Sequence, residues 1–182
     1  MQGEPEVHVL RLGHRPGRDE RMSSHVGLTA RALGADRVVF AGEAAGPGET
    51  VADITERFGG PFEVEVTDAY RPLLQEFPGP VVHLTMYGLP VEEVETEIRS
   101  AHRDRPLLVV VGAEKVSFDV YEAADYNVAV TNQPHSEVAS LAVFLDRLFE
   151  GRELDREWMD AERRVVPKAR GKRVESPGND GE

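Results

Sequence analysis

Short apolar runs of strand length alternate with segments of helical period along most of this chain. The stretch Leu-Leu-Val-Val-Val at 107–111 is the extreme case. It has no polar face, so a strand made from it must be covered on both sides. Strands are predicted over 7–12, 36–41, 62–66, 80–85, 107–111 and 126–130, and helices over 23–33, 50–58, 70–76, 91–101, 118–123 and 136–149. The alternation predicts an α/β fold, a mostly parallel sheet with helices on both faces and 107–111 at its centre. Ser23 or Ser24 is the expected N-cap of the first helix and Gly34 its stop. The glycine-rich 42–50 reads as a mobile loop.

After Gly151 the character changes. Residues 1–151 form the expected domain and 152–174 a basic extension with the pattern of a hairpin, Arg163–Arg173 carrying six basic residues and no acidic one. Residues 175–182 read as a disordered tail.

Composition narrows the classes. The chain has 182 residues, 40% of them hydrophobic and 30% charged, with no cysteine, which rules out disulfides, thiolate catalysis and zinc-thiolate sites. No apolar run approaches the roughly 18 residues of a membrane span, and no signal pattern opens the chain, so a cytoplasmic location is expected by elimination. The net charge is −12, and only three of the 21 basic residues are lysine, at 115, 168 and 172. Lysine depletion on an acidic chain suits a high-salt cytoplasm. There, charge repulsion is screened within about 3 Å at molar ionic strength.

Parallel sheets place ligands beyond the carboxyl ends of their strands. Three loops directly follow apolar strands: L-T-M-Y-G-L-P at 84–90, V-G-A-E-K-V at 111–116 and N-Q-P-H-S-E at 132–137. The last interrupts a strand and an amphipathic helix with six polar or rigid residues. Any α/β protein could carry such a loop and cap. No G-x-G-x-x-G, P-loop lysine or nucleophile elbow is present. The six histidines are scattered without metal-ligand spacing, so no metal site is expected. Residues 11–21, R-L-G-H-R-P-G-R-D-E-R, concentrate arginine around glycine and proline, as a solvated loop or a phosphate contact would.

Several stretches taken together resemble the archaeal tRNA (cytidine-56 2′-O)-methyltransferases of the SPOUT superfamily. They are L-R-L-G-H-R-P at 10–16, R-M-S-S-H-V-G-L-T-A-R-A-L-G-A at 21–35, H-L-T-M-Y-G at 83–88, V-V-G-A-E-K-V at 110–116 and A-D-Y-N-V-A-V-T-N-Q-P-H-S-E-V-A at 124–139, with V-P-K-A-R-G-K-R-V near the end. The resemblance implies an α/β knot with a C-terminal trefoil, a homodimer, S-adenosylmethionine as methyl donor and tRNA as acceptor. It puts the donor against Leu84, against Gly112, Ala113, Glu114, Lys115 and Val116, and against Val130, Thr131, Asn132, Gln133, Pro134, His135, Ser136 and Glu137. It assigns the catalytic role to Arg31, reaching the donor of a partner subunit, and RNA contacts to His14, Arg15, Arg18 and Arg21. The alternatives are the same fold methylating another RNA nucleotide, or a non-catalytic nucleotide- or RNA-binding α/β module.

Overall fold

The computed structural model describes residues 5–112 and 116–176. Six strands form one sheet in the order β3-β2-β1-β5-β4-β6, every neighbouring pair parallel. The strands are β1 (Val7–Leu12), β2 (Arg37–Ala41), β3 (Glu63–Thr67), β4 (Val81–Pro90), β5 (Leu107–Gly112) and β6 (Tyr126–Ala129). The five apolar residues of β5 are fully buried between β1 and β4.

Side-chain alternation along these strands feeds two cores. Val7 and Val9 of β1 with Leu107, Val109 and Val111 of β5 face one core, covered by α1 (Glu20–Ala32), α2 (Ala45–Phe58), α4 (Val91–His102) and α6 (Glu137–Phe149). Leu10, Leu12, Leu108 and Val110 face the other, covered by α3 (Tyr70–Glu76) and α5 (Phe118–Ala123). The strand β6 lies at the sheet edge beyond β4, yet the helix that follows it, α6, packs against both α1 and α4.

Two helix starts differ from expectation. α1 begins at Glu20, because Ser23 is buried with its Oγ 2.8 Å from His14 Nδ1 and Ser24 Oγ donates to the Glu20 carbonyl. α2 begins at Ala45, so 45–50 is helix and not a mobile loop. Pro47 is tolerated because it sits in the first turn, where its missing N–H has no intrahelical partner to lose. Gly34 ends α1 at φ 91°, and a Cβ there would meet the Phe149 ring.

The extension after α6 opens with a 3-10 turn (Arg152–Asp155) and ends in an antiparallel hairpin of β7 (Arg164–Val166) and β8 (Arg173–Glu175). Between them it docks on the loop after α2. Gly60 and Met159 exchange two backbone hydrogen bonds, and Arg156 donates to the carbonyls of Ala35 and Pro61. Among the described residues no helix is long and apolar enough to cross a membrane.

Candidate active site

The carboxyl ends of β4, β5 and β6 converge on a cavity of about 380 Å³, a size in the range of small-molecule sites. Of the residues expected against the donor, Leu84, Gly112, Val116, Pro134, His135, Ser136 and Glu137 line it. Ala113, Glu114 and Lys115 lie outside the described residues. Val130, Thr131, Asn132 and Gln133 are not in its wall. Asn132 acts behind it. Its Nδ2 donates to the carbonyls of Met86 (2.7 Å) and Gly88 (3.1 Å), tying the 130–137 loop to the end of β4.

That tie works because β4 is irregular. Its register against β6 shifts between Leu84 and Leu89, and Gly88 lies so close to β6 that a Cβ would overlap the Asn127 carbonyl and Val128 N. Gly112 has the same character, since a Cβ there would run into Val116.

The third wall is the start of α6. Ser136 is its N-cap, with Oγ accepting from Val138 N at 3.2 Å. Glu137 follows in the first turn, where a carboxylate is favoured by the helix dipole. Its Oε1 lies 2.9 Å from Nη2 of Arg11. Alternation puts Arg11 on the α6 face of β1, fully buried, where it also donates to the Leu12 carbonyl. Burial pushes the Glu137 carboxyl above its ordinary range, and the Arg11 guanidinium opposes that rise.

Sequence reasoning missed several lining residues, among them Met22, His83, Thr85, Tyr87 and Tyr121. His83 and Tyr121 pack edge to face, with centroids 4.6 Å apart. Asn127 Nδ2 donates to the Tyr121 carbonyl, which turns its Oδ1 toward His83 Nδ1 at 2.9 Å. The imidazole proton therefore sits on Nδ1. Burial holds this histidine below its ordinary pKa, with the Asn127 bond acting the other way. The motif H-L-T-M-Y-G contained three of these groups, but nothing in it distinguished inward from outward side chains.

The arginines divide. Arg18 and Arg21 are exposed near the start of α1, next to Met22 of the cavity, and have no ion-pair partner among the described residues. Arg15 is paired with Asp19 at 2.7 Å. His14, expected to contact RNA, is instead buried against Ser23. Arg31 departs furthest from expectation. It occupies the last turn of α1, at the amino end of the sheet and away from the cavity. Its guanidinium lies 4.1 Å from the ring centroid of Trp158 and donates to the Gly59 carbonyl. It is 7% exposed and covered by the C-terminal extension, an arrangement that fastens the extension and leaves little of the group open to a substrate or a partner.

A parallel sheet with a loop-built cavity at these strand ends has the fold of SpoU-type methyltransferases. The SpoU methyltransferase AviRb from Streptomyces viridochromogenes, solved in complex with AdoMet, superposes with a TM-score of 0.58 at 19% identity, covering 82% of this chain and 58% of that one. The family profile described as "tRNA ribose 2'-O-methyltransferase, aTrm56" matches residues 58–175, and the chain belongs to that family. The tRNA (cytidine(56)-2'-O)-methyltransferase of Natronomonas pharaonis is 71% identical over 96% of this chain and 97% of its own length. That of Haloarcula marismortui is 68% identical over 97% and 98%.

Proposed function

We propose that this protein methylates the ribose 2′-hydroxyl of cytidine 56 in tRNA, with S-adenosylmethionine as methyl donor. The observation that carries the reading is the cavity at the carboxyl ends of β4, β5 and β6. It is built from residues 84–87 and 134–137 of the motif loops with Gly112 and Val116, in a chain that matches its relatives nearly end to end.

The residues present fit the donor. Leu84, Val116 and Met22 offer apolar walls for an adenine, and the absence of a Cβ at Gly112 allows close approach. Glu137 offers a carboxylate to a cation, held in place by Arg11. When bound, the donor would supply an electrophilic methyl group on its sulfonium, the S–CH3 bond breaking to leave a neutral thioether as the ribose oxygen forms its O–CH3 bond and gives up its proton to solvent. The exposed Arg18 and Arg21, beside the cavity, pair with RNA phosphates in this reading, and Arg15 supports them from its ion pair with Asp19. The buried Arg31 serves the docking of the extension.

Three further features belong to the proposal. The chain acts as a homodimer, in which a partner surface completes the RNA site. The C-terminal part is threaded into a trefoil knot. A position at the sheet edge for β6 and between α1 and α4 for α6 supports this, since the chain joining them has to pass the β4–α4 connection. The enzyme works in a salty cytoplasm, consistent with its acidic, lysine-poor composition. Residues 1–151 are the catalytic unit and 152–174 an appended arm.

The test is to incubate unmodified tRNA transcript with labelled donor and map the methyl group. A ribose methyl at position 56, lost when cytidine 56 is replaced, supports the reading. A base methyl, or labelling indifferent to that replacement, overturns it and favours another RNA target.

A further inference from the structure

The C-terminal hairpin carries a charge pattern that the cavity does not use. Residues 163–173 hold six of the chain's 21 basic residues, including two of its three lysines, with no carboxylate among them. Elsewhere cations are commonly neutralised: Arg11 by Glu137, Arg15 by Asp19, Arg37 by Glu63, Arg57 by Asp53 and Arg147 by Glu95. In the hairpin, among the described residues, only Arg173 is, by Glu175 at 2.5 Å. Arg163, Arg164, Lys168, Arg170 and Lys172 are exposed and have no ion-pair partner among the described residues.

The hairpin is an arm on a fixed base. Arg163 N–H donates to the Arg57 carbonyl at 2.8 Å, and the Gly60–Met159 pair and the Arg31–Trp158 stack secure the segment before it. Beyond that base β7 and β8 pair with each other, Val165 opposite Val174, with these valines 60% and 53% exposed. A bare two-stranded ribbon is marginal in water. One that concentrates like charge is further strained unless a polyanion meets it.

We infer that this hairpin is an RNA-binding arm that grips phosphates of the tRNA substrate away from the methylated ribose; the inference rests on the tRNA reading above. The hairpin base lies at the amino ends of the strands, beside the end of α2, whereas the cavity lies at their carboxyl ends. The arm therefore holds a different part of the RNA from the reacting nucleotide, and it acts on binding rather than on chemistry. Screening within about 3 Å at molar salt leaves direct phosphate contacts intact while removing long-range attraction.

The experiment uses the full chain with Arg164, Lys168, Arg170 and Lys172 all changed to Gln, beside the wild type and an Arg164→Lys/Arg170→Lys control. Binding of one tRNA transcript is measured across salt concentrations, with methylation kinetics, donor affinity, thermal stability and solution mass. The expected result is a tRNA affinity about tenfold lower or worse, with a salt slope shallower by about 0.7–0.9 per lost phosphate contact. KM for tRNA rises in parallel, while kcat, donor affinity, stability and mass hold, and the lysine control stays near wild type. Unchanged tRNA affinity and salt slope overturn the inference, as does a change in mass, which would make the hairpin a subunit contact. A wild type that neither binds nor methylates tRNA sinks the parent reading instead.

Discussion

Arg11 and Glu137, 126 residues apart in sequence, meet at 2.9 Å beside the cavity, the arginine fully buried and the carboxylate largely so. Breaking one partner of such a pair strands the other. Arg11→Met is expected to lower unfolding stability by about 3 kcal/mol in urea titrations. Arg11→Met/Glu137→Gln should recover part of that loss. Strictly additive losses would show that the pair is not coupled.

Asn132 ties the two long loops of the cavity through the carbonyls of Met86 and Gly88 while itself exposed. Asn132→Ala should therefore leave thermal stability within about 1 kcal/mol. Its effect should fall on donor affinity, weakened about tenfold by calorimetry, which is 1.4 kcal/mol. Donor binding as tight as wild type would show that the loops hold their places without it.

Gly88 lies against the backbone of β6, which cannot move aside as a side chain could. Gly88→Ala is expected to displace the end of β4 and to abolish donor binding at temperatures where the protein remains folded. Full donor affinity in that variant would refute the close packing.

His83 gives a pH signature. Its folded pKa is depressed by burial, below the ordinary 6.5 that applies in the unfolded chain. The unfolded state therefore takes up the proton first on acidification. The stability contribution is whole above 6.5 and is lost as pH falls toward the folded value. Wild type should lose more unfolding stability than His83→Gln between about pH 7.5 and 5.5. Equal losses would mean that the imidazole is not held neutral.

Arg31 is expected to act on stability. Arg31→Ala removes the stack on Trp158 and the bond to the Gly59 carbonyl, at about 2 kcal/mol. The only tryptophan of the chain is part of that contact, so its fluorescence should report the change directly. Turnover by the folded protein should stay within a few-fold of wild type. Abolished turnover with unchanged melting would return Arg31 to the chemistry.

The sheet was legible because its strands carry short apolar runs, complete in β5 and alternating with charge in β3. β1 and α5 have the expected bounds, and β5 lies at the interior position that its lack of a polar face demanded. The loops of the cavity were legible because each follows such a strand. The starts of α1 and α2 were not, since Asp19, which precedes α1, spends its carboxylate on Arg15 rather than on a cap, and α2 begins inside a glycine-rich segment. The surroundings of Arg31 were not legible from motif position alone. Eleven residues along α1, it lies about 16 Å from the helix start, at 1.5 Å per residue, and so at the far end of the sheet. The burial of His14 was not legible, because a histidine in an arginine-rich loop gives no sign that a buried serine awaits it.

The placement of α6 between α1 and α4, with its N-terminus forming a wall of the cavity, has a consequence for biosynthesis. A nascent chain that has delivered everything through α5 lacks both the edge strand β6 and the Ser136–Glu137 wall of the cavity, which the proposed reading gives to the methyl donor. On that reading, premature termination in this interval yields no donor-binding fragment, and the cavity is complete only once α6 has emerged and packed between α1 and α4.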